Sequence, residues 1–271
     1  GPMTTPTDHH CPDVHVGRRL TERTLLVEAS VQADVLRLCG IDPSLYRGQI
    51  DPAAFVRLAI DEGVHNGMSI HGGVHLSERL VQHRPGILGE RLTVSGEILA
   101  VQAVPRGTLV IGSTLFRGDD GQAVVSIFRH SLRPGPDMTG APASGAAAAP
   151  SPGIADPGLL ARLSTIQLTP AVVRAFSNPN NPIHFDPELA RQRGYRAPIA
   201  GGALCVRYLT AEIWRHHAPR SLSLEIRFRR PVFWDDACDV MVDDREGRWT
   251  AIGLAVRGKM ATEARIEEMT V

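Results

Sequence analysis

The chain has 271 residues, 43% of them apolar and 21% charged, with a formal net charge of zero. This composition fits folded protein and excludes a collagen repeat, a disordered tail and a disulfide scaffold. With no net charge there is no global field to draw the chain to nucleic acid or anionic lipid.

In chain order, the start GPMTTPTDHH has neither a basic nor an apolar leader region, so no secretory signal is expected. No apolar run approaches the roughly 18 residues of a membrane span. Arg23–Glu28 reads as a strand, and Ser30 as the cap of a helix over Val31–Leu38. An irregular stretch ends in Asp51-Pro52, and a short helix runs through Ala59 to Gly63. Gly72-Gly73 then opens an apolar run, Val74–Val81, read as a helix. Strands follow at Arg91–Val101, Thr108–Phe116 and Ala123–Leu132. Residues 135–156, rich in Gly, Ala, Pro and Ser, read as a linker.

The second half repeats the pattern. Ser164–Leu168 reads as a strand, and Thr169-Pro170 as a helix start into Ala171–Phe176. Asp186-Pro187 leads a short helix through Ala190 to Gly194. Gly201-Gly202 opens a helix over Ala203–Trp214 that is apolar almost all round, so a sheet should wrap it. Strands are expected at Leu222–Val232, Ala237–Val242, Trp249–Val256 and Ala261–Glu268. The chain thus divides into 17–134 and 157–271, each a helix followed by an antiparallel sheet. The class is α+β.

This pattern resembles two fused hotdog units. In the second half, Ser177-Asn178-Pro179-Asn180-Asn181-Pro182-Ile183-His184 and Pro198-Ile199 through Gly202 resemble the signature of MaoC-like and (R)-specific enoyl-CoA hydratases. That family pairs an Asp with a His five residues later. Here His184 is kept, but Pro179 holds the Asp position, and proline can neither give nor take a side-chain proton. Gly201 stands for the family's second His and Thr210 for its supporting Ser. Asn180 and Asn181 remain as amides near the imidazole.

In the first half, His65-Asn66-Gly67-Met68-Ser69-Ile70-His71-Gly72-Gly73 is similar to hotdog thioesterases of the phenylacetate-pathway type. The resemblance implies that a Gly72 N–H at a helix start polarises the thioester carbonyl, with His65, Asn66, Ser69 and His71 placing water or a carboxylate. The acid expected along that helix is replaced by Leu80, with Glu78 the nearest carboxylate, and Gln49 is matched to His184.

The two partial signatures together resemble the actinomycete dual-function thioesterases. These add glycine to the β-carbon of an enoyl thioester and then hydrolyse it, in secondary metabolism. The implied substrate is an acyl thioester on acyl carrier protein or coenzyme A, with glycine or a similar amine as nucleophile. A neutral amine needs less help than water, so His184 alone is expected to serve as base. Gly202, with Asn180 and Asn181, is expected to bind substrate. Arg174, Arg196 and Arg207 are candidates for the amino acid's carboxylate. Two other functions stay open: an (R)-specific hydratase or dehydratase, and a non-catalytic acyl-binding protein.

His71 and His75 have a spacing that can hold zinc, but no third ligand follows at a telling distance, so no metal or cofactor is expected. Cys11, Cys39, Cys205 and Cys238 form no CxxC pair and read as reduced thiols in a cytoplasmic protein. Lys259 is the sole lysine, in a strand-like stretch with nothing to lower its pKa, which argues against Schiff-base chemistry. No nucleic acid or membrane partner is expected, and a homodimer is allowed.

Overall fold

The computed structural model describes residues 14–68, 73–135, 154 and 156–271. The first half runs β1 (Arg23–Leu25), α1 (Ala29–Leu38), α2 (Ala53–His65), β2 (Val74–Gln82), β3 (Leu92–Val104), β4 (Gly107–Arg117) and β5 (Ala123–Pro134). The second half runs β6 (Ala161–Gln167), α3 (Pro170–Ala175), α4 (Pro187–Gln192), α5 (Gly202–His216), β7 (Ser221–Phe228), β8 (Ala237–Asp243), β9 (Ala251–Val256) and β10 (Lys259–Thr270).

These strands form one sheet in the order β1-β3-β4-β5-β2-β7-β10-β9-β8-β6. Each half contributes five neighbours in the same internal order. The halves join where β2 pairs antiparallel with β7, Ser77 opposite Arg227 and Leu80 opposite Leu224. Every side chain from Leu204 to Trp214 on α5 is buried, as its apolar sequence requires of a wrapped helix. The core runs through both halves. Tyr46 packs on Trp214 at 5.6 Å between ring centroids, and Phe55 meets Phe116 edge-on at 4.9 Å.

Local signals place the shorter helices. The Thr169 hydroxyl accepts from Val172 N and Pro170 opens α3, while Asp186 accepts from Glu188 N and Leu189 N at the start of α4. Ile154, within the segment read as a linker, is 3% exposed. Its N–H donates to Glu263 at 3.0 Å, and its carbonyl accepts from Arg229 at 3.2 Å. Among the described residues, no helix is long and apolar enough to cross a membrane.

Two expectations are corrected. Val74–Val81 is not a helix: it lies in β2, and the long helix of the first half is α2, before the HNGMSIHGG run. The inward positions 78, 80 and 82 of β2 are Glu, Leu and Gln, all buried, so two polar residues break the alternation that marks a strand. The match between the halves also shifts. Equivalent isolated bridges join Gln49 to Ile87 and Ile199 to Phe233. Gln49 therefore corresponds to Ile199, not His184, and Asp51 corresponds to Gly201, not Asp186.

Candidate active site

The N-terminus of α5 opens onto a cavity of about 220 Å³ at the junction of the halves. Gly201 through Cys205 form one wall, the 176–184 segment a second, and the ends of β2 and β7 a third. The N-cap is Gly201, which has no side chain to occupy the first free N–H groups of the helix. They remain available to an oxygen that gains negative charge. Gly202 is required by space: a Cβ there would lie 2.7 Å from the Phe228 ring and 3.3 Å from His75 Nδ1.

His184 sits at the end of a short 3-10 turn, Pro182–His184, beside this helix start. Its Nδ1 donates to the Ile199 carbonyl at 2.7 Å. That bond fixes the tautomer and leaves Nε2 with a lone pair, to which Asn181 Nδ2 donates at 3.3 Å. Burial lowers the His184 pKa below its ordinary value; the Ile199 contact opposes this and the Arg57 charge adds to it. The ring is therefore neutral at neutral pH and able to accept a proton. Cys205 also lines the cavity, but burial pushes its thiol up to about 12, so it is not a thiolate nucleophile.

Of the sequence candidates, His184, Asn181 and Gly202 meet at this cavity. Others do not line it. Asn180 is exposed at a turn tip with Pro179, and its N–H is capped by Asn178 Oδ1 at 2.9 Å. Arg174 is exposed, 5.4 Å over the Phe185 ring. Arg196 pairs with Asp235 and Asp236. Arg207 is buried and spent on Asp51 at 2.9 Å, so it is not a free carboxylate site. Thr210 serves the same pair, donating to Asp51 at 2.9 Å. His65 is the exposed last residue of α2. Asn66 closes that helix and ties down the chain start: Nδ2 donates to Glu62 O at 2.8 Å, and Oδ1 accepts from Thr21 N at 2.9 Å. Ser69, His71 and Gly72 lie outside the described residues. The helix start on which the expected oxyanion role of Gly72 depended is absent, because β2 begins at Val74.

The cavity also gathers residues not singled out as site candidates. Arg57 comes from α2, Asn178 and Arg193 from the second half, and Arg129 from β5. His75, weighed in the sequence only as half of a zinc pair, lines the cavity from β2. Their signal was absent because they come from separate elements that only the sheet join brings together.

No protein-family model matches the chain. In sequence, 183 residues are 24% identical to 3-hydroxyacyl-thioester dehydratase X of Mycobacterium tuberculosis. The match spans 66% of this chain and 62% of that relative's length. The crystal structure of that protein, HtdX, covers 91% of this chain and 99% of its own, with a TM-score of 0.69 at 18% identity. A second M. tuberculosis protein, described as having a double hotdog fold, gives 0.62 at 14% identity over 94% of this chain and 96% of its own. The fold is a double hotdog. The same fold recurs in peroxisomal multifunctional enzyme type 2 of Drosophila melanogaster, with a TM-score of 0.67 at 16% identity over 92% of this chain and 48% of that one. In this double hotdog the cavity lies at the join between the two units, where β2 meets β7.

Proposed function

We propose that this double hotdog adds a small amine, glycine in the first instance, to the β-carbon of a short α,β-unsaturated acyl thioester. The observation that carries the reading is the neutral His184 Nε2, held by Asn181 at 3.3 Å beside the uncapped start of α5, with no carboxylate at Pro179. The thioester oxygen takes the free N–H groups of α5. His184 Nε2 takes the proton that the amine releases as it bonds to Cβ. Arg129 and Arg193 at the cavity supply positive charge for the amino acid's carboxylate, whereas Arg57 and Arg229 are engaged by Asp61 and Glu263. A cavity of about 220 Å³ is below the roughly 300–1,000 Å³ of drug-sized sites, which favours a short acyl group. Thioester hydrolysis, also implied by the sequence resemblance, rested on Gly72 at a helix start, where β2 begins instead.

A second reading is water addition or its reverse, supported by the partial match to the dehydratase HtdX. Incubation with a crotonyl thioester, with and without glycine, separates the two by product mass. The proposal expects the N-carboxymethyl-3-aminobutyryl adduct, and expects His184→Ala to lower its rate by about 100-fold or more. A 3-hydroxybutyryl product alone establishes the second reading. A folded His184→Ala protein that adds glycine at the wild-type rate removes His184 from the mechanism.

A further inference from the structure

Addition to an enoyl thioester needs an acid as well as a base. When the nucleophile bonds to Cβ, the π pair moves to form an enolate, whose α-carbon must then take a proton. In the hydratase-like half the carboxylate is missing at Pro179. The wall opposite holds a pair that no motif marks.

Glu78 on β2 has a side chain 0% exposed, and among the described residues neither of its oxygens has a hydrogen-bond partner. Its Oε1 lies 3.7 Å from His75 Nε2, which is also unpartnered. Residues three apart on a strand normally point to opposite faces. Here a bulge intervenes: His75 stands opposite Ser131 and Ser77 opposite His130, so Leu76 is the extra residue. The bulge brings His75 onto the face of Glu78 and of Arg129, which is directly opposite Glu78. The His75 ring is stacked on Phe228 at 4.4 Å between centroids. Its Nδ1 faces Gly202, at the start of α5 where the thioester oxygen would sit.

Protonation agrees with the geometry. Burial pushes the Glu78 carboxyl up to about 8, and the Arg129 charge only partly opposes this. Burial holds His75 well below its ordinary value, with Arg129 and His130 adding to the effect. Near pH 7 the pair is thus a neutral acid and a neutral ring. Once the gap closes, a carboxylic acid facing Nε2 donates to it, which places the ring proton on Nδ1, toward the cavity.

We propose that His75 and Glu78 are the acid of this site, a proton relay supplied by the first half to the chemistry of the second. Resting on the addition reading above, the step balances as follows. The nucleophile's proton goes to His184 Nε2 as its bond to Cβ forms. The enolate carbon takes the proton of His75 Nδ1, and Glu78 passes its own proton to His75 Nε2. Glu78 is left as a carboxylate, and the proton held by His184 returns to it through solvent. His75 is the catalytic residue, touching substrate; Glu78 acts through it. The 3.7 Å gap is too long for a hydrogen bond. A small rotation of Glu78 closes it, and catalytic contacts are commonly long before substrate binds.

The test uses the full chain with Glu78→Gln, Glu78→Leu and His75→Gln, measuring glycine and water addition to a crotonyl thioester together with thermal melting. The relay expects kcat to fall by about 100-fold or more in all three, with KM little changed. Glu78→Leu should melt at or above the wild-type temperature, because it replaces a buried carboxyl that has no partner. Loss of folding in both Glu78 variants, or a lower melting temperature with wild-type kcat, makes the residue structural and overturns the relay. Wild-type kcat in folded Glu78→Gln and His75→Gln overturns it alone and leaves the addition reading in place. An inactive wild type, with glycine or water, removes both.

Discussion

Asp51 and Glu78 are both buried carboxyls, and the difference between them lies in their partners. Asp51 accepts from Arg207 Nε at 2.9 Å, Thr210 Oγ1 at 2.9 Å and Ala53 N at 3.0 Å. Among the described residues Glu78 accepts from nothing. Asp51→Ala should therefore cost about 3–5 kcal/mol, since it leaves Arg207 buried without its counter-charge. Urea unfolding measures this, and a loss under about 1 kcal/mol would mean that water reaches Arg207. Glu78 gives the opposite result. Its carboxyl has an ordinary value of 4.5 and about 8 in the folded chain. Between those values the folded state binds more protons than the unfolded one, so the group's contribution to stability falls as pH rises through that window. Glu78→Gln removes the dependence. Its melting temperature relative to wild type should rise steadily from about pH 5 to about pH 8; a constant difference would show Glu78 ionised throughout.

At the scale of elements, α5 was legible and β2 was not. The apolar sequence of Ala203–Trp214 marks a wrapped helix, and α5 runs Gly202–His216. Strands set off by turn residues also fell within a few residues of their observed ends, as with Ala123–Leu132 against β5. β2 was hidden because Glu78 and Gln82 occupy inward positions; Gln82 Nε2 is satisfied by the carbonyls of Pro219 and Arg220 at 3.2 and 3.0 Å. The same misreading hid the setting of the pair: a helix at Val74–Val81 keeps His75 near Glu78 but does not set Glu78 opposite Arg129, as the pairing of β2 with β5 does. His184, Asn181 and Gly202 were legible because one short motif and one helix start carry them. A prediction belongs to that helix start. Gly202→Ala places a methyl group between the Phe228 ring and His75. The ring must move, and displaced catalytic groups lose about 100-fold in rate for an ångström of misplacement. A drop in kcat of at least about tenfold is expected, with the helix still folded by circular dichroism. Full kcat in that variant would show that neither His75 nor this end of α5 has to hold its position.

Because its halves share hydrogen bonds and core, the whole molecule should unfold as one unit. Residues 154–271 expressed alone would bare the β7 edge, from Leu222 to Arg227, that β2 now pairs. An unpaired edge of that length templates aggregation. The fragment would also lose partners inside α5. Trp214 Nε1 would lack Gln49 Oε1 at 3.3 Å, and Arg207 would lack Asp51. A buried cation without its counter-ion disfavours the wrapped helix, so both the sheet and the helix of the fragment are compromised together. The fragment should be insoluble or aggregated, whereas co-expression with residues 14–135 should restore a soluble complex. The intact chain should melt in a single transition, with matching midpoints by far-UV circular dichroism and tryptophan fluorescence. Trp214, Trp234 and Trp249 all pack against the shared core and report on it. A soluble monomeric fragment with its own cooperative melt would show that the second hotdog is self-sufficient, and that the β2–β7 join holds the site together without holding the fold.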